Sequence, residues 1–328
     1  MTVHKKSYHK ILVITLSNLG DVVLTIPIIV SLRKAFPDAE IQVVVGEKAF
    51  DLLHGNPALQ KVICYRKESS LWEKLKFVLM LRAEKFDLVL DFKDTLLPYL
   101  LGKPSNNWWL NRQARKIPSR YERYQHIIKL LHLPTVDFSY LPLYVREDND
   151  RLMRKLHSKG LFNVQNILLI SPGARFLMKR WPARYFAALI SSIVKKEEMA
   201  VILVGDDFDC AAAHEIEPLL TNMDVINLCG KITQKELAIL VERARLVISN
   251  DSATMHFASF YKRPVVGIFG PTNVAKYGSS LPTARIARLD LHCIPCEESI
   301  CKYKRECLEK LTPEKVLPLA LELLQKTI

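Results

Sequence analysis

V-I-S-N-D-S-A-T-M-H-F-A-S-F-Y-K-R-P-V-V-G-I-F-G-P-T-N, from Val247 to Asn273, reads as a strand, a polar turn, a helix, a second strand and a second polar turn. Ser249, Asn250, Asp251 and Ser252 are all favoured helix-capping types, and they stand just before the periodic apolar positions Met255, Phe257 and Ala258. A helix is therefore expected to start there. Its first N–H groups have no intrahelical partners and carry the positive end of the helix dipole, so the turn can hold a phosphate without a metal. The same pattern also fits a capped helix with no ligand.

Outward from this stretch the chain repeats one theme. In the first half, Ile11–Leu16, Ile41–Val45 and Leu88–Asp91 read as buried strands; Val22–Phe36 reads as a helix containing Pro27, and Leu71–Glu84 as an amphipathic helix. After a polar, linker-like stretch at Arg146–Asp150 the pattern restarts, with strands expected at Ile167–Ser171, Ala200–Val204, Asp224–Leu228, Leu246–Ser249 and Val265–Phe269. Strands alternating with helices imply parallel sheets with helices on both faces, so the fold class is α/β with two units, drawn at 1–155 and 156–328. Ligands of open parallel sheets gather beyond the carboxyl ends of the strands. The loops at Ser17–Asp21, Ser171–Arg180, Gly205–Asp209, Cys229–Thr233, Asn250–Thr254 and Gly270–Asn273 are the ones that matter.

Composition narrows the classes of function. Across 328 residues, 49% are hydrophobic and 25% charged, as in an ordinary globular protein, but the formal net charge is +13. Such a charge calls for an anionic partner: nucleic acid, a phosphorylated substrate or an acidic membrane surface. The basic start and the apolar run Ile11–Leu16 imitate a secretory signal, but Ser17-Asn18 interrupts the run, Asp21 follows, and no small-residue cleavage site appears. No segment holds the ~18 uninterrupted apolar residues of a membrane span. A cytoplasmic protein is expected, at most peripheral on a membrane and acting as a monomer.

Four of the seven cysteines form the cluster Cys293-x2-Cys296-x4-Cys301-x5-Cys307. The spacing is irregular, unlike a paired C-x2-C ribbon, so no metal is expected and the cluster is read as structural, with zinc or iron–sulfur as the alternative. Cys64, Cys210 and Cys229 lie in apolar surroundings and read as core residues.

The loops carry two sets of candidate residues. Asp21, after Gly20 at the end of the first strand, is either a helix N-terminal charge or a general base. Arg175, Lys179 and Arg180, in S-P-G-A-R-F-L-M-K-R-W-P, bring cations to the crevice of the Ser252 turn and could hold a diphosphate, or could be solvated. From Tyr99 to His132, Lys103, Arg112, Arg115, Lys116, Arg120, Arg123 and Lys129 face the single acid Glu122, among Trp108, Trp109, Tyr121 and Tyr124. That composition suits phosphate and sugar contacts, and equally a solvated basic helix. Neither G-x-G-x-x-G nor G-x-x-x-x-G-K-[ST] occurs, which weighs against an oxidoreductase or a P-loop enzyme. A nucleic-acid-binding protein would share the charge, but the charge is spread over both halves and no binding motif accompanies it, so no nucleic acid is expected.

Three motifs in order, G-D-V-V-L-T-I-P, S-P-G-A-x5-R-W-P, and S-N-D-S-A-x-M-H with R-P-V-V-x-I-F-G-P-T, resemble the heptosyltransferases of glycosyltransferase family nine, and the Cys293–Cys307 tail is similar to that of many members. The resemblance implies a GT-B fold of two facing doubly wound, Rossmann-like domains, with an acceptor site on the first and a nucleotide-sugar site on the second. It implies an inverting, metal-independent transfer of heptose from ADP-heptose to the lipopolysaccharide inner core, an anionic acceptor at the inner membrane surface, and no cofactor. By matching position, Asp21 resembles the catalytic base and Lys179 the lysine on the donor phosphates. Asp251, Ser252, Ala253 and Thr254 resemble the diphosphate turn, with His256 one helical turn on, and Ile232 falls where an apolar residue meets adenine. Arg180 joins the donor set, and Arg112, Arg115, Lys116, Arg120 and Arg123 the acceptor set. Many members carry Gly where Ala253 stands; if the turn needs φ > 0 there, Ala would strain it. A later core transferase with another donor or acceptor is the alternative reading.

Overall fold

The computed structural model describes residues 8–15, 18–102, 112–135, 142–221 and 223–326. Ser17, Lys103, Trp108 and Trp109 lie outside the described residues. The chain divides by its contacts into two compact units, 1–143 and 144–328.

The first unit holds β1 (Lys10–Ile14), α1 (Leu19–Ala35), β2 (Glu40–Gly46), α2 (Glu47–Leu53), β3 (Lys61–Tyr65), α3 (Leu71–Ala83), β4 (Leu88–Asp91), α4 (Leu97–Leu100) and α5 (Arg120–Leu130). Its four strands are parallel in the order β3-β2-β1-β4. β1 is central, and its run Ile11–Ile14 is wholly buried because helices cover both faces. Helix α1 is apolar on nearly every side from Val22 to Leu32, contains Pro27 in its middle, and packs on α5 and α2.

In the second unit α6 (Arg146–His157) precedes β5 (Ile167–Ser171), α7 (Ala183–Val194), β6 (Ala200–Leu203), α8 (Cys210–Ile216), β7 (Val225–Asn227), α9 (Gln234–Arg243), β8 (Ala244–Asn250), α10 (Ala253–Phe260), β9 (Val265–Ile268), α11 (Val274–Tyr277), β10 (Ala284–Ala287), α12 (Glu306–Glu309) and α13 (Pro313–Gln325). The sheet is parallel in the order β10-β9-β8-β5-β6-β7. The final helix α13 packs on α7 and on β8, β9 and β10. Trp181 ties this tail to the sheet, its indole N–H donating to the Leu311 carbonyl at 2.7 Å.

Three expectations change. Arg146–Asp150, read as a linker, is the first turn of α6: Glu147 and Asp148 sit at its positive end and Arg154, Lys155 and His157 at its negative end, so a stretch that is polar in composition has its charges in helical order. Two strands were absent from the sequence reading, β3 and β10. Both are sheet edges with interrupted burial, so neither carries the continuous apolar run of a central strand. The third concerns α3, expected to be amphipathic. Leu81 is buried and Phe77 and Val78 pack beside it, yet Leu71, Trp72, Leu75 and Leu79 are exposed, so apolar side chains occupy both faces.

In each sheet the chain works outward from one strand and then crosses to its other side. The reversals fall between β1 and β4 and between β5 and β8, and the loops that follow these neighbouring strands leave in opposite directions, opening a crevice.

Candidate active site

At the reversal point of the first sheet, Asp21 sits in the opening turn of α1, and Lys93 follows β4. Lys93 Nζ lies 3.1 Å from Asp21 Oδ2, and Arg120 of α5 binds the other carboxylate oxygen. Asp21 is mostly buried, so the cations are held against it with little water between. Asp91, the last residue of β4, shapes the Lys93 loop by accepting the Lys93 N–H at 2.8 Å and the Thr95 N–H and hydroxyl at 2.6 and 2.7 Å. Burial pushes the Asp91 carboxyl up, against the pull of these donors. Under the α1 turn, the Thr15 and Thr25 hydroxyls share a bond of 2.8 Å.

The remaining basic candidates scatter. Arg115 pairs with Asp94, and Arg123 donates to the Ile117 carbonyl at 3.1 Å, its guanidinium pushed down by burial; Arg112 and Lys116 are exposed. The stretch with one acid of its own therefore finds two more, Asp21 and Asp94, once folded.

The reversal point of the second sheet gathers the polar turn. β8 continues through Asn250, so the helix begins at Ala253 with Ser252 as its cap residue, later than the run of capping types suggested. Asn250 is a strut: its amide donates to the Pro172 carbonyl at 2.6 Å, and its oxygen accepts the Trp181 N–H at 3.2 Å. Ser252 does not cap the helix with its side chain. Its hydroxyl meets Ser249 Oγ at 2.9 Å and Ser171 Oγ at 3.5 Å, while the Thr254 hydroxyl donates to Ser171 Oγ at 3.0 Å. Four hydroxyls, from β5, β8, the cap residue Ser252 and α10, thus interlock at the helix N-terminus. Ala253 takes an ordinary helical conformation and is absent from the described residues with positive φ, so Ala in place of Gly strains nothing.

Lys179 reaches this turn from the loop after β5, its Nζ 2.7 Å from Asp251 Oδ2 and within 6 Å of the Phe176 and Tyr277 rings. Arg180 turns away to brace the loop, donating to the Ala174 carbonyl at 2.9 Å and the Phe208 carbonyl at 3.0 Å, 3.5 Å from Asp209. Asp209 fills the space against Gly173 and Gly205; a Cβ on Gly173 would stand 1.9 Å from the Asp209 carboxyl carbon. Burial, helped by Asp206, pushes the Asp209 carboxyl up to about 6. His256 is buried within α10, and Ile232 is half-buried in the loop before α9. Sequence reasoning missed Lys93, and it placed Ser171 and Thr272 in loops of interest without giving either a role. The Thr272 hydroxyl, after β9, is buried with no hydrogen-bond partner among the described residues.

Cys293, Cys296, Cys301 and Cys307 line one cavity of about 330 Å³, and burial pushes the Cys307 thiol up to about 11. Among the described residues no group of three or more His, Cys, Asp and Glu is arranged to hold a metal. The loop is sewn to the strand ends by the Cys296 and Glu297 N–H groups, both donating to the Pro271 carbonyl at 3.1 Å.

Comparison with known proteins gives this arrangement a family. The model of glycosyltransferase family 9 (heptosyltransferase) matches residues 75–306. Lipooligosaccharide heptosyltransferase 2 of Campylobacter jejuni is 29% identical over 325 residues, covering 94% of this chain and 96% of that protein. A family 9 glycosyltransferase from Veillonella parvula superposes with a TM-score of 0.80 at 24% identity, over 99% of this chain and 98% of its own. The ADP-heptose heptosyltransferase II of Escherichia coli gives 0.73 at 23% identity, over 97% and 99%. The family match extends over well more than half of the sequence and the two parallel α/β units are those of the GT-B fold, so the chain belongs to glycosyltransferase family 9, the heptosyltransferases.

Proposed function

We propose that this enzyme transfers heptose from ADP-heptose to the inner core of lipopolysaccharide by single displacement with inversion, without a divalent metal. The observation that carries the reading is the turn at Asp251–Thr254, where a helix N-terminus, a lysine and interlocked hydroxyls meet at the reversal point of a parallel sheet. Such a turn suits a diphosphate. In this reading Lys179 leaves Asp251 for the phosphates and offsets the charge that grows on the departing ADP, the work a metal does in other sugar transferases. His256 and Arg180 hold the turn and its loop in shape, and Ile232 lies against the adenine.

The first unit takes the acceptor. Arg120, beside Asp21, meets its phosphate or carboxylate groups together with Arg112, Lys116 and Arg115, the last released from Asp94, while Arg123 braces the loop at Ile117. The acceptor oxygen attacks the anomeric carbon, the bond from that carbon to the diphosphate breaks, and Asp21 receives the hydroxyl proton. A carboxylate held by two cations is a weak base. An anionic acceptor competes for Arg120 and Lys93, which frees Asp21 as the substrate arrives and keeps the base quiet without it. The acceptor is anchored in the inner membrane, so the enzyme works peripherally at its cytoplasmic surface; among the described residues no helix is long and apolar enough to cross a membrane. Monomeric action is part of the same reading.

Calorimetric titration with ADP, GDP and UDP, with and without EDTA, tests it. Selective ADP binding that survives EDTA is expected. Preference for another nucleotide would point to a family member with a different donor, and binding lost with EDTA would overturn the metal-free cradle.

A further inference from the structure

Helix α3 is anomalous for a surface helix. Its inner side, Phe77, Val78 and Leu81, packs into the core of the first unit. By the 3.6-residue period, Leu71, Leu75, Leu79 and Trp72 fall within roughly 100° of arc on the outer side. They are exposed at 85, 48, 55 and 75% respectively. A helix apolar on both sides belongs between two apolar layers, and among the described residues this one has only one. The adjoining helix α4, which contacts α3, adds exposed Leu96, Tyr99 and Leu100. Single exposed leucines are ordinary, but a stripe with a tryptophan repeated over two turns marks an interaction surface.

The charge around the stripe selects the occupant. Between positions 66 and 85 stand Arg66, Lys67, Lys74, Lys76, Arg82 and Lys85 against Glu68, Glu73 and Glu84. Glu84 pairs with Lys10 at 2.6 Å and Arg66 with Glu47 at 3.3 Å, while Glu73 accepts the Ser70 N–H and hydroxyl as a helix cap and keeps its charge, so Lys67, Lys74, Lys76, Arg82 and Lys85 still outnumber Glu68 and Glu73. What remains is an apolar stripe with Trp72 at one end and a basic border, the composition of helices that lie in the headgroup layer of anionic bilayers.

We infer that the outer face of α3 docks the first unit on an anionic phospholipid surface, with Leu71, Trp72, Leu75 and Leu79 entering the headgroup boundary. The docking face deepens the peripheral-membrane reading above and is carried by the helix and its border, so its failure leaves the choice of donor and acceptor untouched.

The test is flotation of the full chain with vesicles of phosphatidylethanolamine and phosphatidylglycerol, against vesicles of phosphatidylcholine alone. The wild type is expected to float with the anionic vesicles and to lose that binding in high salt. The double variant Leu75→Glu with Leu79→Glu is expected to lose at least about tenfold in partitioning, from the lost apolar burial and added like charge. Leu219→Glu, which places the same charge on an exposed leucine of the second unit, should float as the wild type does. Near-ultraviolet circular dichroism and ADP affinity report whether the double variant has kept its fold. As a measurement independent of any variant at Leu75 and Leu79, brominated lipid should quench wild-type fluorescence more than that of Trp72→Leu. Equal flotation of wild type and double variant, or no flotation of the wild type, overturns the inference. So does a wild-type dimer that the double variant dissociates while vesicle binding is unchanged, which would give the face to a second copy of the chain.

Discussion

Lys93 Nζ and Asp21 Oδ2 stand 3.1 Å apart although 72 residues separate them in sequence, because β1 and β4 are neighbours in the sheet and each hands one residue to the same crevice. Asp21→Ala should therefore lower kcat by at least about a thousandfold if a positioned base is lost, while ADP affinity stays within about twofold. Normal turnover in that variant would end the assignment. Lys93→Ala is expected to raise the KM for acceptor by about tenfold with ADP affinity unchanged; an effect on ADP alone would show that Lys93 serves a different site.

Lys179 bridges to Asp251 at 2.7 Å, and in the proposed reading the phosphate oxygens of the donor displace that carboxylate. Lys179→Ala should weaken ADP binding by about ten- to a hundredfold, the loss of one charge-assisted contact. AMP, with one phosphate fewer, should be affected less. Equal ADP affinity in variant and wild type would remove Lys179 from the phosphate contacts.

Ser171→Ala leaves the buried Thr254 hydroxyl without its acceptor. A cost of about 1–3 kcal/mol in unfolding free energy is expected, together with weaker ADP binding. The double variant with Thr254→Val should recover part of the stability, since both partners are then apolar, without recovering affinity. Urea titrations of the three proteins measure it, and additive losses would contradict the coupling.

The Asp209 carboxyl, pushed up to about 6 by burial, keeps a proton in the folded protein at pH values where the unfolded chain, near its ordinary value of 3.8, has released it. The folded state binds more protons in that window, so stability contributed by this group is complete below about pH 4 and is lost as pH rises through 6. Asp209→Asn cannot titrate. Its stability relative to wild type should improve by about 2 kcal/mol between pH 4 and pH 8, a figure reduced by residual screening. Urea midpoints that run parallel for the two proteins across that range would refute the assignment.

The central strands were legible in the amino-acid sequence because parallel strands covered on both faces must be continuous apolar runs; Ile11–Ile14 and Ile167–Ser171 are such runs. Edge strands β3 and β10 were not, since exposure interrupts their pattern. At the candidate site, Asp21, Asp251 and Ser252 could be picked out because each lies where the end of a strand passes into the first turn of a helix. Lys93 could not: a lysine after a strand is common, and only the strand order puts this one beside Asp21. Composition also misled at Arg146–Asp150, where polarity suggested a linker although the order of the charges is that of a helix.

Each sheet reverses at its own crevice, and each crevice is furnished by loops that no strand pairing constrains. In the proposed reading the two halves can therefore drift independently: the loops after β1 and β4 can be rebuilt for a new acceptor while the hydroxyl lattice under α10 is left untouched. A library confined to the loop after β4, excluding Lys93, is accordingly the economical place to look for variants with altered acceptor preference and an unchanged donor.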